Sequence, residues 1–448
     1  MRSLALLASG AAFIAALGHS PPAAAGALPW KPQVVTLENG LKLVMVRQAG
    51  TGLIAYYTFV RVGSRDEVEP GVTGFAHFFE HMMFRGTDKF TPEVVTAYLK
   101  KTGADQNGFT TDDFTCYTFF GRSDFLPELV AMEADRFQNL KYTEDAFKTE
   151  SKAVLGEYNK SASSPFLKLN ERLRELSFTK HTYGHTTLGY LKDIEDMPNQ
   201  YAYSQKFLKR FYTPDNAIIV AVGDFEVGAL EREVRAKYAP WKSKRAKSEI
   251  KAEPPQTKEI RDRIEWKTPT LPLLSLSWRT PQLAVGSVEA AVYSVLFELM
   301  FGETSAIHSE LVLEKQTVDR FNDGSGERRD PYLFHVVAVV KDPAAIESVE
   351  KRVDAVVAEL SIGKVDPAAL AAVKSRVRYQ TLLSLSTPSK IADALVWSVA
   401  PSGDVDALEK SLAAIDKITV KDVQAFARKV LNKENRAVIV LAHTEEQR

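Results

Sequence analysis

Two histidines and a glutamate share one apolar stretch of the sequence, TGFAHFFEHMMFRG, between positions 73 and 86. His77, Glu80 and His81 stand at i, i+3 and i+4, so on an α-helix their side chains share one face. Two imidazoles one turn apart can bind one divalent ion at about 2.1 Å, while the glutamate between them is left to hold a water molecule. The spacing therefore predicts a zinc site that hydrolyses its substrate, with Glu80 as the general base.

Burying three polar groups costs several kcal/mol unless each finds a partner, and one metal ion satisfies them together. The alternative is a pair of hydrogen-bonded core histidines. Manganese or cobalt could occupy the same ligand set. In the surrounding segment, Thr73 is the expected helix cap and Gly86 the expected helix end.

A third ligand should come from another element, preferably a carboxylate that offsets the charge of the ion. The helical pattern that begins at Thr143 offers Glu144, Glu150 and Glu157. Glu150 and Glu157 are two turns apart and share a face, so one can bind the metal while the other supports a histidine ligand. Spacing alone does not say which does which, and two solvated glutamates remain the alternative.

The elements that position these residues are marked by turn and cap signals. Asn39-Gly40 between two apolar runs predicts a hairpin. Thr91, Pro92 and Gly103 predict the start and end of a helix. The run 107–120 has strand character, and helical patterns follow at 123–140, 143–160 and 227–238.

This order of elements occurs twice along the chain. The segment FYTPDNAIIVAVGDF near Phe211 has a counterpart in VLNKENRAVIVLAH at the C-terminus. Residues 242–258 are rich in Lys, Glu and Pro and predict a solvated linker; its basic tilt could alternatively bind an acidic partner. We expect two homologous α+β domains, 26–241 and 259–448, each a mostly antiparallel sheet with helices on one face.

The N-terminus predicts export. Residues 1–25 contain Arg2, an apolar run of about 14 residues and an A-x-A site, which is typical of a cleaved signal peptide. A membrane anchor is the alternative, but spanning a bilayer takes roughly 20 apolar residues. No stable membrane span is expected after cleavage.

The composition indicates a folded protein without nucleic-acid or membrane partners. Of the 448 residues, 45% are apolar, and acidic and basic residues number 57 each, so no strongly charged surface is predicted. Cys116 is the only cysteine, so no internal disulfide can form. It lies in a strand-like run and is expected to be inert core. The leader and this cysteine usage together favour the periplasm of a Gram-negative bacterium.

The sequence resembles the pitrilysin and insulysin group of inverted zinc peptidases, the inverzincins. HFFEH at 77–81 and ESKAVLGEY at 150–158 carry the resemblance, which extends to NGLKLVMV, GSRDE, FRGT, TYGHTTLG and YTPDNAIIVAVGDF. The family places its ligand glutamate at the distance that separates Glu157 from His81. The resemblance thus implies zinc held by His77, His81 and Glu157, with Glu150 as the supporting acid.

The resemblance also implies a partner. It is closest to the short branch that contains mitochondrial processing peptidases and bacterial paired-subunit peptidases, which form a clam-shell of two chains. Active members or their partner subunits carry an arginine and a tyrosine seven residues apart in the second half, and these hold the substrate carbonyl. Val312 and Asp319 stand at those positions here, so a heterodimer with a homologous subunit that supplies the pair is expected. Arg320, Arg328, Arg329 and Tyr332 offer a shifted pair as the alternative.

Within the resemblance, Asn107, Gly108 and Phe109 belong to an edge strand that binds extended peptide substrates by backbone pairing; an ordinary turn asparagine is the alternative for Asn107. His181 and His185 are expected to be loop histidines rather than a second metal site, because Gly184 lies between them. The predicted activity is a zinc endopeptidase or oligopeptidase. A catalytically silent scaffold and a self-sufficient homodimer are the competing hypotheses.

Overall fold

Two β-sheets organise the chain, and the computed structural model describes residues 28–444. The predicted signal peptide, 1–25, lies outside the described residues. The strands of the first sheet are β1 (Gln33–Thr36), β2 (Lys42–Arg47), β3 (Leu53–Val60), β4 (Asp105–Thr110), β5 (Thr115–Arg122) and β6 (Ala217–Gly223). The strands of the second are β7 (Ile260–Trp266), β8 (Leu273–Arg279), β9 (Val318–Asp323), β10 (Leu333–Val340) and β11 (Arg436–His443).

The helices divide between the same two halves. Those of the first half are α1 (Phe75–Met82), α2 (Pro92–Thr102), α3 (Leu126–Asn139), α4 (Glu144–Ser161), α5 (Pro165–Ser177), α6 (Leu191–Asp196), α7 (Tyr201–Phe211) and α8 (Val227–Tyr238). Those of the second half are α9 (Val288–Phe301), α10 (Ala306–His308, continued by a π-helical turn over Ser309–Glu314), α11 (Ile346–Ser361), α12 (Pro367–Ser384), α13 (Pro388–Ser402), α14 (Ala407–Ile415) and α15 (Val420–Val430).

The two sheets have the same topology. The first has the strand order β1-β2-β6-β3-β5-β4 and the second β7-β11-β8-β10-β9, which is the same arrangement without β1. Only β2 with β6 and β7 with β11 are parallel; the other pairs are antiparallel. The expectation of two related α+β halves with mostly antiparallel sheets is confirmed.

Local signals located several elements accurately. The Asn39-Gly40 turn joins the antiparallel strands β1 and β2, and α8 spans the predicted residues. Thr91 caps α2 through the amide of Val94, and Gly103 ends it at φ +66°. The run 107–120, predicted to have strand character, lies in the hairpin of β4 and β5, and the buried pair Asp112-Asp113 lies at the turn between them.

Each sheet is covered on one face by helices of its own half and on the other by one helix from the opposite half. Helix α13 packs Ile391, Leu395 and Val399 onto the first sheet, in a core that includes Phe59 and Val220. Helix α5 packs Leu169 and Leu173 onto the second sheet against β8, β10 and β11. This exchange joins the two halves through two apolar cores, which favours their behaving as one body.

A buried network of charges lies where the halves meet. Asp112 accepts hydrogen bonds from Arg174 at 2.7 and 3.0 Å and from Arg328 of the second half at 2.9 Å. The stretch 242–258 has no helix or strand, but it is tied to the first half: Arg245 donates to Asp66 at 3.2 Å, and Glu253 accepts from the amide of His181 at 2.9 Å.

One helical stretch, Val288–Glu314, is long and apolar enough to cross a membrane by length and composition alone. Residues Val292, Leu296 and Met300 of this stretch are buried in the core of the second half. The burial explains its apolar composition as that of a core helix in a folded domain.

Candidate metal centre

Helix α1 carries the HxxEH segment, and its start is fixed by a buried carboxylate. Gly74 is the N-cap at φ +90°, and Glu67 accepts hydrogen bonds from the amides of Gly74 at 2.8 Å and Ala76 at 2.7 Å. The predicted cap, Thr73, is wrong: its hydroxyl instead donates to Asp193 at 2.8 Å. Burial raises the pKa of Glu67 to about 8, although the two amide donors oppose the rise.

The apolar residues of α1 anchor it in the core of the first half. Phe75, Phe78, Phe79 and Met82 are fully buried, and the ring of Phe79 stacks on Phe207 of α7. A 3-10 turn follows, and Gly86 ends the helical stretch at φ +77°, as predicted. The polar face of α1 is thereby held in a fixed orientation toward α4 and β4.

His77, His81 and Glu157 converge at this face. The Nε2 atoms of the two histidines are 3.3 Å apart, and Oε2 of Glu157 lies 3.4 Å from Nε2 of His77 and 3.6 Å from Nε2 of His81. Helix α4 begins at its N-cap Thr143 and presents Glu157 from its last turns. In the described residues, this is the one cluster of three or more His, Cys, Asp or Glu side chains spaced to hold a metal ion.

The triangle fits a zinc ion. Three donor atoms about 2.1 Å from one ion, at tetrahedral angles, lie about 3.4 Å from one another. The observed separations run from 3.3 to 3.6 Å. Burial, and after it the charge of His81, lowers the pKa of His77 to about 4, so this imidazole is neutral and able to bind a metal. Two nitrogen donors and one carboxylate leave a fourth position open, as in catalytic zinc sites.

Glu150 orients His81 from behind. Its Oε1 atom lies 2.9 Å from Nδ1 of His81, and its Oε2 atom accepts a hydrogen bond from Nε of Arg85 at 2.5 Å. Burial alone would raise the pKa of Glu150, but the hydrogen bonds from His81 and Arg85 lower it below its ordinary value. An ionised Glu150 keeps the proton of His81 on Nδ1, which leaves Nε2 free to face the other two ligands.

The side chain of Glu80 extends from α1 toward the edge strand β4. Its Oε2 atom accepts a hydrogen bond from Oγ1 of Thr110 at 2.6 Å. A Cβ atom placed on Gly108 would lie 3.0 Å from Cγ of Glu80, so the strand approaches the glutamate closely at this point. Burial raises the pKa of Glu80, and the bond from Thr110 opposes the rise. A carboxylate with a raised pKa is suited to accept and return a proton near neutral pH.

The predicted substrate strand is the free edge of the first sheet. Among the described strands, β4 pairs only with β5, so one side of its backbone carries no strand from residues 28–444. Asn107 is exposed, and its own Oδ1 accepts from the amide of Gly108 at 2.9 Å. Phe109 points away from α1 and stacks on Trp397 of α13. Gly108 alone of the three faces Glu80.

The positions that lack the arginine and tyrosine lie in the second half. Val312 is half-buried in the π-helical turn, and Asp319 is exposed on β9 and pairs with Arg320 at 2.6 Å. Of the residues that offer a shifted pair, Arg328 binds Asp112, and Tyr332 is buried with its ring stacked on Phe178.

His181 and His185 lie at the two ends of a 3-10 turn over Thr182–Gly184. The imidazole of His181 bridges the amide of Tyr183 at 3.0 Å and Asp330 at 2.9 Å, and that of His185 lies 2.9 Å from the carbonyl of Thr186. Cys116 is fully buried, which raises the pKa of its thiol. A cavity of about 1320 Å³ between α3, α7 and α8 is lined by none of the residues of the metal triangle.

Two neighbours of the site went unrecognised in the sequence. Thr110 lies within the strand pattern and Arg85 within FRGT, and neither pattern indicates a contact with the metal site. Thr110 follows Gly108 by two residues, so the two share one face of the strand. This spacing is the one signal in the sequence that indicates a contact between Thr110 and α1.

The sequence matches two family profiles. Residues 46–190 match the profile described as insulinase, peptidase family M16, and residues 200–377 match that of the peptidase M16 inactive domain. The chain belongs to peptidase family M16. The predicted family resemblance is confirmed. Membership of this family supports the prediction of a metallopeptidase that uses zinc as its cofactor.

Relatives of similar length place the chain in the short branch of M16. It is 26% identical to the zinc protease PqqE of Helicobacter pylori, over 81% of this chain and 82% of that protein. It is 23% identical to the mitochondrial-processing peptidase subunit beta of Dictyostelium discoideum, over 91% and 88% of the two chains. The crystal structure of a protease from Helicobacter pylori superposes with a TM-score of 0.86 at 24% identity, covering 92% of this chain and 99% of that one.

Proposed function

We propose that this M16 protein is the zinc-bearing subunit of an endopeptidase or oligopeptidase that cleaves extended peptides. One observation carries the proposal: the triangle of His77, His81 and Glu157 has the dimensions of a tetrahedral zinc site and lies beside Glu80. A half-buried glutamate hydrogen-bonded to a free edge strand adds a base at the place where a peptide can lie.

His77, His81 and Glu157 would hold the ion, and Glu150 would fix the ring of His81. A zinc ion bound there supplies Lewis-acid chemistry, which polarises a carbonyl and makes a water molecule more acidic. Glu80 accepts the proton of the attacking water and returns it to the leaving amine. Thr110 holds the carboxylate of Glu80 in place during both transfers.

The substrate would add a strand to the free edge of β4. Backbone amides and carbonyls of β4 then bind the peptide without regard to most of its side chains. Gly108 allows this strand to approach Glu80, since any larger residue would contact Glu80 and Phe84. Asn107 would contact the substrate backbone from the exposed end of the segment.

We further propose a heterodimer. Val312 has no hydrogen-bond donor in its side chain, and the anionic Asp319 would repel a developing oxyanion. A homologous partner subunit would supply the arginine and tyrosine, so that the two chains form a clam-shell around the peptide. The leader-like residues 1–25 support export, and we assign the mature protein to the periplasm of a Gram-negative bacterium.

Metal analysis of purified variants tests the site. We expect about one zinc ion per chain in the parent protein and in Glu80→Gln, and little in Glu157→Ala, because Glu80 is not a ligand. Glu80→Gln should nevertheless lose about 10²- to 10⁴-fold of the peptidase rate. A parent chain without tightly bound zinc would instead favour the silent scaffold.

Cleavage of a short quenched peptide, with and without a homologous subunit that carries the arginine and tyrosine, tests the partner. The heterodimer predicts a large rate increase on mixing. A full rate with this chain alone, unchanged by the partner, would favour the self-sufficient homodimer.

A further inference from the structure

The side chains of β4 alternate between two different environments. Gly108 and Thr110 face Glu80 on the α1 side of the first sheet. Phe109 lies between them and points to the opposite face, where α13 covers the sheet. Successive residues of a strand point to opposite faces, so this separation is a direct consequence of strand geometry.

An open cleft of about 500 Å³ lies on the α13 side, beside this edge. Its aromatic wall is formed by Phe109 and Trp397, whose ring centroids are 5.7 Å apart at an interplanar angle of 11°. Ala394 adds an apolar surface, and Lys390 and Asp393 at the rim lie 4.0 Å apart and offset each other's charge. Trp397 remains 49% exposed, which is unusual for so large an apolar side chain.

A peptide paired with β4 would bring one side chain to this cleft. The residue opposite Phe109 shares its face of the sheet, with a Cβ atom about 4.5 to 5.5 Å from that of Phe109. The two residues that flank Phe109 face Glu80: Thr110 donates a hydrogen bond to it, and a Cβ atom on Gly108 would lie 3.0 Å from its Cγ atom. The peptide backbone opposite them would therefore lie where hydrolysis is proposed to occur. The residue whose side chain enters the cleft therefore adjoins the scissile bond.

We propose that the cleft beside the stacked rings of Phe109 and Trp397 is a specificity site for one aromatic or large aliphatic side chain of the peptide. Because neighbouring side chains of a strand point to opposite faces, only one of the two residues beside the scissile bond enters it. The inference rests on the proposed peptidase function. It adds that the second half of the chain, through Trp397, selects the substrate.

The cleft favours an aromatic occupant for two reasons. The aromatic rings of Phe109 and Trp397 offer both faces and edges for stacked or edge-to-face contacts. A charged side chain would find no unpaired opposite charge in the cleft, since Lys390 and Asp393 at the rim offset each other's charge.

Peptide binding to the zinc-loaded Glu80→Gln protein tests the inference without cleavage. A set of labelled ten-residue peptides carries a single phenylalanine at successive positions of an otherwise alanine-rich sequence. Fluorescence anisotropy gives each Kd in three backgrounds: Glu80→Gln alone, with Trp397→Ala, and with Tyr379→Ala. Tyr379 is the matched control, since it is 63% exposed on α12 and lies outside the cleft.

We expect phenylalanine to tighten binding about tenfold at one position, with no gain at either neighbour. Trp397→Ala should abolish this preference, and Tyr379→Ala should preserve it. The specificity site would be overturned if the preference for phenylalanine survives Trp397→Ala. It would also be overturned if the Glu80→Gln protein binds the peptides but shows no such preference. Both outcomes would leave the peptidase proposal intact. If no peptide binds in any background, even with a homologous subunit that carries the arginine and tyrosine added, the proposed function fails as well. Trp397→Leu replaces the alanine variant if thermal unfolding shows that the latter is not folded.

Discussion

Nδ1 of His81 lies 2.9 Å from Oε1 of Glu150, so one carboxylate determines which ring nitrogen of this histidine carries the proton. Arg85 in turn holds the second oxygen of Glu150. The three residues form a chain from the exposed surface to the metal triangle. Its effect is to present Nε2 of His81 in the correct tautomer before any ion binds.

Glu150→Gln should weaken zinc binding about 10- to 100-fold, because the amide no longer fixes the tautomer and charge of His81. Competition with a chromophoric chelator measures the affinity. Glu144→Gln is the control, since Glu144 lies on the same helix and pairs with Lys148 at the surface. Equal zinc affinity in both variants would show that Glu150 does not support the site.

Thr110→Val removes the hydroxyl that bonds to Glu80 and nearly preserves the side-chain shape. A hydrogen bond to a charged group is worth about 1.5 to 3 kcal/mol, so kcat should fall about tenfold or more. KM should change little, because the Thr110 hydroxyl contacts the base. Thr110→Ser should restore most of kcat, and zinc content should be the same in all three proteins. A serine variant as slow as the valine variant would refute the role of the hydroxyl.

Gly108→Ala should impair the base by contact. The added Cβ would lie 3.0 Å from Cγ of Glu80 and 3.1 Å from the Phe84 ring, so one of them must move. Displacing the Glu80 carboxylate by up to about 1 Å should reduce kcat/KM about 10- to 100-fold. Gly156→Ala is the control, because nothing lies within 4 Å of a Cβ there. If both variants keep the parent rate, β4 does not constrain Glu80.

Helical spacing and cap signals were sufficient to locate the zinc-binding helix. The i, i+3 and i+4 positions of His77, Glu80 and His81 follow from the pitch of an α-helix, which depends only on local geometry. Thr91 and Gly103 marked the ends of α2 for the same reason. Helical spacing does not distinguish Glu157 from Glu150, since both residues lie on the same face of α4; only the family resemblance implies that Glu157 is the ligand.

Contacts between distant segments could not be predicted from the sequence. The cap of α1 comes from Glu67 rather than Thr73, because a buried carboxylate seven residues earlier folds back onto the amide of Gly74. Likewise, nothing in the local pattern of α5 or α13 indicates that each covers the sheet of the opposite half. Such pairings depend on tertiary packing, which propensity and periodicity do not encode.

Asp112 should be the most important charge for holding the two halves together. It is fully buried and accepts from Ser64, Arg174 and Arg328, so Asp112→Asn would leave the buried guanidinium of Arg174 and the half-buried one of Arg328 without their counterion. We expect a loss of about 3 to 5 kcal/mol in the free energy of unfolding at pH 7, measured by urea denaturation. Asp88→Asn, which breaks only an exposed pair with Lys141, should change the stability little.

The pH dependence of this loss follows from the pKa of Asp112. Burial alone would raise that pKa, but Arg174 and Arg328 hold it far below its ordinary value. A carboxyl whose pKa is lowered by folding contributes its full stability above the unfolded pKa of about 3.9 and loses it as the pH falls below that value. The difference between the parent protein and Asp112→Asn should therefore stay constant from about pH 5 to pH 8 and shrink below about pH 4. A difference that persists undiminished at pH 3 would mean that the charge of Asp112 does not stabilise the contact.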